Sequence, residues 1–208
     1  MRQVLALSAM VCSLSFSSVA LADDQATTEL RTLLSHISQY KAMFKQTITD
    51  TEGNVVHEAN GNIVLARPDK LRWETVSPDE NTLVADGETV WNIDPFVEQV
   101  TIIDQKKAVK DNPIMLITAT DDETWSKFVV RKADAVSDEY FVTPVNQEGQ
   151  IRELTLIFSD DALVGLTTLD AQEQISSLKF SAVETQFPLA ADAFTPSFSD
   201  SYIVDDQR

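Results

Sequence analysis

The residues of this chain that could take part in chemistry are two histidines, one cysteine and a surplus of carboxylates. His36 falls in a helical pattern and His57 in a hairpin, and neither has Cys or carboxylate partners at metal-ligand spacing. Adjacent acids such as Asp121-Asp122 and Asp205-Asp206 are commonplace among 33 acidic residues, so they say little about acid–base catalysis. The nucleophile-elbow, phosphate-loop, dinucleotide-glycine and calcium-loop patterns are all missing from the sequence. The reading is a non-enzymatic protein with neither cofactor nor metal.

Two features stand out instead. If Gly61–Arg67 is one strand, Arg67 shares a face with Ile63 and Leu65, and a guanidinium is aimed toward the interior or its mouth. Its five donors would then need acceptors, and free carbonyls at helix ends suit a cation. Alternatively, Pro68 ends the strand early and Arg67 reaches solvent. The second feature is Ile114-Met115-Leu116-Ile117, an apolar turn with no polar face. It reads either as ordinary core or as a plug over a cavity.

The elements that must position these residues follow from periodicity. Leu30, Leu33, Leu34, Ile37, Tyr40 and Phe44 predict a helix over 26–44, with Thr27 or Thr28 at its start. Alternating runs from Phe44 onward, over 61–67 and over 70–76, are separated by Glu52-Gly53-Asn54, Pro68-Asp69 and Ser77-Pro78-Asp79. Asp86-Gly87 marks a tight hairpin between 83–85 and 89–93, and Asp94-Pro95 turns the chain into a strand over 96–103. Asp111-Asn112-Pro113 predicts the start of a short helix, and 119–125 predicts another. Strands resume over 127–131, 139–143, 151–158, 163–169 and 174–183, and 202–204 is a candidate last strand. Ten or eleven strands in one meander, with few helices between them, predict a mainly β (α+β) large curved sheet or partial barrel in one domain.

The chain has 208 residues, a formal charge of −17 and 43% hydrophobic residues, which is a globular composition. Such acidity excludes nucleic acid as a partner and disfavours docking on an anionic membrane surface. Residues 1–22 read as an export signal: Arg2, an apolar run, then Ala20-Leu21-Ala22 before Asp23-Asp24. Cys12 follows Val11 rather than a small residue, so it is not read as a lipidation site. Cleavage would leave residues 23–208 without cysteine, hence without disulfides or thiol chemistry. The short signal has a bacterial character, and the periplasm is the expected destination.

Leu65-Ala66-Arg67-Pro68-Asp69-Lys70-Leu71-Arg72-Trp73 followed by Ser77-Pro78-Asp79-Glu80 resembles the signature of the periplasmic outer-membrane lipoprotein carrier family, LolA. Asp86-Gly87-Glu88-Thr89-Val90-Trp91, Asp94-Pro95-Phe96-Val97-Glu98-Gln99, Pro113-Ile114-Met115-Leu116-Ile117 and Val204-Asp205-Asp206-Gln207-Arg208 continue it in order. The resemblance covers essentially residues 23–208.

It implies an incomplete antiparallel β-barrel of about 11 strands, closed by a short-helix lid over an apolar cavity that receives acyl chains. Arg67 falls on the family's lid-latching arginine. Leu34, Ile63, Leu65, Leu71, Trp73, Met115 and Ile117 are the implied cavity and lid residues. The implied partners are acylated lipoproteins, an inner-membrane ABC transporter of the LolCDE type and an outer-membrane receptor of the LolB type, served by a monomeric carrier. The acidic exterior predicts basic patches on those partners. Competing readings are a small-lipid binder, a lipid-sensing domain and an exported hydrolase. The last would need convergent polar groups where Ile63, Leu65, Leu71 and Trp73 are apolar.

Overall fold

Alternating apolar residues dominate the chain, and the computed structural model arranges them as one sheet. It describes residues 19–111, 113–134 and 136–208. The predicted export signal lies outside the described residues as far as residue 18.

Helix α1 spans Val19–Ser35 and leads into strands β1 (Gln39–Thr49), β2 (Val55–Ala66), β3 (Lys70–Ser77), β4 (Asn81–Ala85), β5 (Thr89–Asp94) and β6 (Gln99–Asp104). Helix α2 (Gln105–Asp111), a 3₁₀ helix (Pro113–Ile117) and α3 (Asp122–Trp125) follow. Strands β7 (Phe128–Lys132), β8 (Glu139–Pro144), β9 (Ile151–Ser159), β10 (Ala162–Asp170), β11 (Ile175–Glu184) and β12 (Ile203–Asp206) complete the order. The spatial order is β12-β6-β5-β4-β3-β2-β1-β11-β10-β9-β8-β7, a 12-stranded sheet that curls without closing. The mainly β, incompletely closed architecture is the expected one.

Three details differ from the sequence reading. The predicted helix over 26–44 stops at Ser35, where His36 N–H and Ile37 N–H donate to the Leu33 and Leu34 carbonyls at 3.2 and 3.1 Å. Ile37, Tyr40 and Phe44 fit a helical period, but Tyr40, Ala42 and Phe44 also alternate, and pairing with both β2 and β11 selects the strand. Thr27 and Thr28 therefore lie inside α1, not at its start. Second, β6 begins at Gln99 rather than at Phe96, because the Asp94 carboxylate accepts from Phe96 N–H and Val97 N–H and holds a turn there. Third, among the described residues 12 strands form, close to the expected number, and β12 runs parallel to β6 where an antiparallel sheet is expected.

The curl gives the sheet two apolar faces. Its concave side holds Tyr40, Phe44, Leu65, Val142, Leu156 and Leu178, all buried in one cluster with residues of the helices. On the convex side of β5 and β6, Trp91, Ile93, Val100 and Ile102 pack with Tyr202. The segment leading to β12 lies along that outer face, where the Phe187 carbonyl accepts from Gln39 Nε2 at 2.8 Å. Farther along, the Phe194 ring sits 6.0 Å from Lys70 Nζ.

At Gly61 β2 and β3 shift register and their backbones approach closely. A methyl group on Gly61 would collide with the Glu74 carbonyl oxygen and lie 2.7 Å from Phe44 Cζ. A backbone oxygen cannot swing aside as a side chain can. Gly61→Ala is therefore expected to lower the unfolding free energy by about 3 kcal/mol. Gly53→Ala, in open space at φ +83°, should cost only about 1 kcal/mol from left-handed strain. Urea unfolding of the two variants checks this, and equal losses would contradict the close approach.

Candidate functional site

A concave apolar sheet face cannot stay exposed, and here α1, α2, the 3₁₀ helix and α3 contribute side chains that cover it. Leu30 and Leu34 of α1 are 0% exposed, and Met115, Leu116 and Ile117 of the 3₁₀ helix are 3%, 0% and 2% exposed. The apolar 3₁₀ turn needs no polar face, because Met115, Leu116 and Ile117 are enclosed and Ile114 is partly so. Ile63, Leu65 and Leu71 are buried beneath this cover in the same cluster, and Trp73 packs against them with its ring 4.5 Å from that of Phe44. All seven apolar residues singled out in the sequence thus meet in one layer between sheet and cover.

The polar part of the site is where that cover ends. A 3₁₀ helix leaves its last carbonyls without helical donors. Thr118 N–H and Ala119 N–H donate back to Met115 and Leu116, each at 3.2 Å, but the carbonyls of 118, 119 and 120 point onward. The Thr118 carbonyl accepts from Asp69 N–H at 3.1 Å. The Ala119 carbonyl accepts from Arg67 Nη2 at 2.6 Å and from the Trp125 indole at 3.3 Å. The Thr120 carbonyl accepts from Arg31 Nη2 at 3.4 Å.

Arg67 comes directly after β2, and its side chain takes the inward route of the two open to it. The guanidinium is half-buried, and its Nη1 is shielded from solvent without a partner. Burial lowers its pKa from the usual arginine value, as does nearby Arg31, while Asp69 acts the other way. Arg31 binds the cover from the α1 side: it pairs with Asp122 at 2.8 Å and lies 5.4 Å from the Trp125 ring centroid. A groove of about 430 Å³ runs between these arginines, lined by Ser35, Ser38, Pro68 and Thr120.

Four contributors escape a reading by periodicity: Arg31, Asp69, Gln105 and Trp125. Asp69 acts through its backbone, and its left-handed φ of +61° after Pro68 is the local signal. Burial raises the pKa of its carboxyl, the neighbouring Asp121 raises it further, and Arg67 partly offsets both.

The acid pairs have structural duties. Asp121 caps α3 by accepting from Thr124 N–H at 2.7 Å, Asp122 pairs with Arg31, and Asp206 pairs with Arg208. His36 is exposed and His57 is half-exposed. Among the described residues no group of three His, Cys, Asp or Glu side chains is placed to hold a metal, and no helix is long and apolar enough to cross a membrane. The arrangement covers apolar surface.

Comparison with known proteins bears on what that surface serves. The family model for the outer membrane lipoprotein carrier protein LolA matches residues 35–197. The outer-membrane lipoprotein carrier protein of Haemophilus ducreyi is 32% identical over 195 residues, covering 93% of this chain and 91% of its own. That of Pectobacterium carotovorum is 33% identical over 210 residues and covers 100% of both chains. A LolA superfamily protein from Nitrosomonas europaea shares the fold at a TM-score of 0.50 and 10% identity, over 82% of this chain and 98% of that one.

Asp69 offers a test of the rim geometry. Asn accepts its left-handed backbone and removes the poorly solvated charge, so Asp69→Asn should raise stability at pH 7. Asp69→Ala keeps the strain without a side-chain dipole and should lower it by about 1 kcal/mol relative to Asn. The folded-state pKa lies above the ordinary 3.8, so the ionised carboxylate costs stability at neutral pH. That cost fades as pH falls through the folded pKa toward the unfolded value. The Asn advantage should therefore shrink between pH 7 and pH 4 in thermal unfolding, and an advantage constant with pH would contradict the assignment.

Proposed function

This chain belongs to the LolA family of outer membrane lipoprotein carrier proteins, and on that basis we propose that it is a periplasmic chaperone for lipoproteins. It accepts them as they leave the inner membrane, shields their acyl chains against the concave face, and delivers them to the outer membrane. It performs no chemistry on its cargo. In this reading residues 1–22 are the export signal, and residues 23–208 are the carrier. The loading partner is an inner-membrane ABC transporter of the LolCDE type, and the acceptor is an outer-membrane receptor of the LolB type.

The observation that supports this most is how the concave face is covered. Apolar side chains of the 3₁₀ helix and α1 fill it, and backbone carbonyls at one end of the cover are held by Arg67 and Asp69 N–H. Each acyl methylene taken from water is worth about 0.8 kcal/mol, so a lipoprotein with long chains cannot cross an aqueous space unaided. A carrier must match much of that gain and still let go. Exchanging buried Met115, Leu116 and Ile117 for acyl chains does this, because one apolar contact replaces another. Arg67 then sets the balance: a charge-assisted bond to a carbonyl favours the covered state by about 1–3 kcal/mol. Affinity falls by the fraction of molecules that are open, which aids release.

Spheroplasts making new lipoproteins test the proposal. Purified protein is added, and lipoproteins are sought in the supernatant in a one-to-one complex with it. Release that depends on the added protein is the expected result. No release, with free fatty acid still bound, would instead indicate a small-lipid binder or sensor. Arg67→Leu should load cargo in the same assay but transfer it to acceptor membranes at least about tenfold more slowly, the rate equivalent of a lost bias of about 1.4 kcal/mol. Normal transfer by Arg67→Leu would remove Arg67 from the latch role.

A further inference from the structure

The fastening at the rim depends on a turn that must itself be held in place. Residues 67–69 supply both Arg67 and Asp69 N–H, yet this turn projects from the top of β2 and β3 with Pro68 exposed. Its anchor is Gln105, distant in sequence and only 4% exposed. Gln105 Nε2 donates to the Asp69 carbonyl at 2.7 Å, and Gln105 Oε1 accepts from Gly87 N–H at 3.0 Å. The two neighbours dictate how the amide is oriented, since a carbonyl can only accept and an N–H can only donate. Gln105 N–H donates to the Glu88 carbonyl at 2.9 Å. One residue therefore ties the 67–69 turn to the β4–β5 hairpin.

Gln105 is also the first residue of α2, the segment that leads into the 3₁₀ helix. The preceding Asp104 carboxylate accepts from Lys106 N–H and Lys107 N–H at 2.9 and 3.2 Å, which fixes the start of α2 to the end of β6. Gln105 thus stands at the near end of the cover through its backbone and, through its side chain, sets the turn that grips the far end.

We infer that Gln105 is a positioning residue for the cover: by holding the Asp69 carbonyl, it presents Arg67 and Asp69 N–H to the carbonyls of Ala119 and Thr118, and without it the covered state is lost while the sheet remains. This deepens the carrier reading and rests on it for its consequence, which is control of loading and release. Physically, a half-buried turn whose donors point at a movable partner needs a second contact to keep it from rotating outward. An amide serves because it bonds to both turns at once, with no charge to desolvate beside Arg67 and Asp69.

The test reads the position of the cover directly. Nitroxide labels are placed on the full chain carrying Cys12→Ser, at Thr120→Cys beyond the 3₁₀ helix and Lys45→Cys on the outer face of β1; both positions are exposed. Distance distributions are measured by double electron–electron resonance in the absence of any lipid. Gln105→Met keeps the length and removes both bonds. Gln105→Glu keeps an acceptor for Gly87 N–H and loses the donor to Asp69. Both are expected to raise the displaced population at least fivefold, and adding Arg67→Leu to either should produce little further change, because all three substitutions release the same grip.

A distribution identical to the parent protein in Gln105→Glu, with only a lower melting temperature, would overturn the inference and leave Gln105 as a fold-stabilising residue. Full additivity with Arg67→Leu would overturn it too. If Gln105→Met does not fold, Gln105→Glu alone decides. The spheroplast assay on the parent protein separates the two ideas: no lipoprotein release with a displaced cover in Gln105→Glu defeats the carrier reading and keeps the positioning role.

Discussion

Backbone carbonyls left over at the end of a short helix govern this structure. Residues 118–120, which follow the 3₁₀ helix that covers the concave face, form no helix of their own, and their carbonyls lie at a rim that is partly shielded from water. An unmet acceptor there is costly, so each carbonyl from 118 to 120 is taken up by a donor from another element. Those donors are a backbone N–H, two guanidinium groups and an indole. The cover is consequently fastened near its ends by a few directional bonds, while apolar packing dominates between them.

That division of labour suits a reversible cover. Apolar packing between the cover and Ile63, Leu65 and Leu71 is broadly interchangeable with packing against other methylene-rich surface, since area rather than pattern determines its strength. Polar fastening is not interchangeable. It is satisfied only when Arg67 and Asp69 N–H meet Ala119 and Thr118, so it distinguishes one arrangement from all others.

The electrostatic setting reinforces this. In a molecule with a formal charge of −17, two arginines stand beside one groove at the end of the cover. Arg31 connects α1 to α3, pairing with Asp122 and lying over the Trp125 ring. Arg67, by contrast, reaches from the sheet to the cover. One arginine links α1 to α3, and the other links the end of β2 to the Ala119 carbonyl.

How much of this was legible depends on the range of the interaction. The sheet was readable because a strand pattern is local: Asp86-Gly87, Pro68-Asp69 and Pro78-Asp79 punctuate runs that alternate with period two. The enclosed 3₁₀ turn and the inward-facing Arg67 were visible as anomalies, an apolar turn with no polar side and a charge on an apolar face. The helix-to-strand switch near residue 36 was not readable from period alone, because Tyr40 and Phe44 fit the helical period with Ile37 and the alternating one with Ala42 until β2 and β11 are present to pair. The parallel addition of β12 was hidden for a similar reason, since it rests on an edge that exists only after β5 and β6 have formed. Gln105 carried no local signal, because an amide on a helix start looks solvent-facing until two distant turns close around it. Sequence by itself determined the mainly β character, the apolar layer and the residues with unusual burdens, since each follows from neighbours within a few positions. Tertiary structure alone decided which carbonyls meet which donors, because hydrogen-bond partners separated by 36 residues or more are chosen by the curl of the sheet.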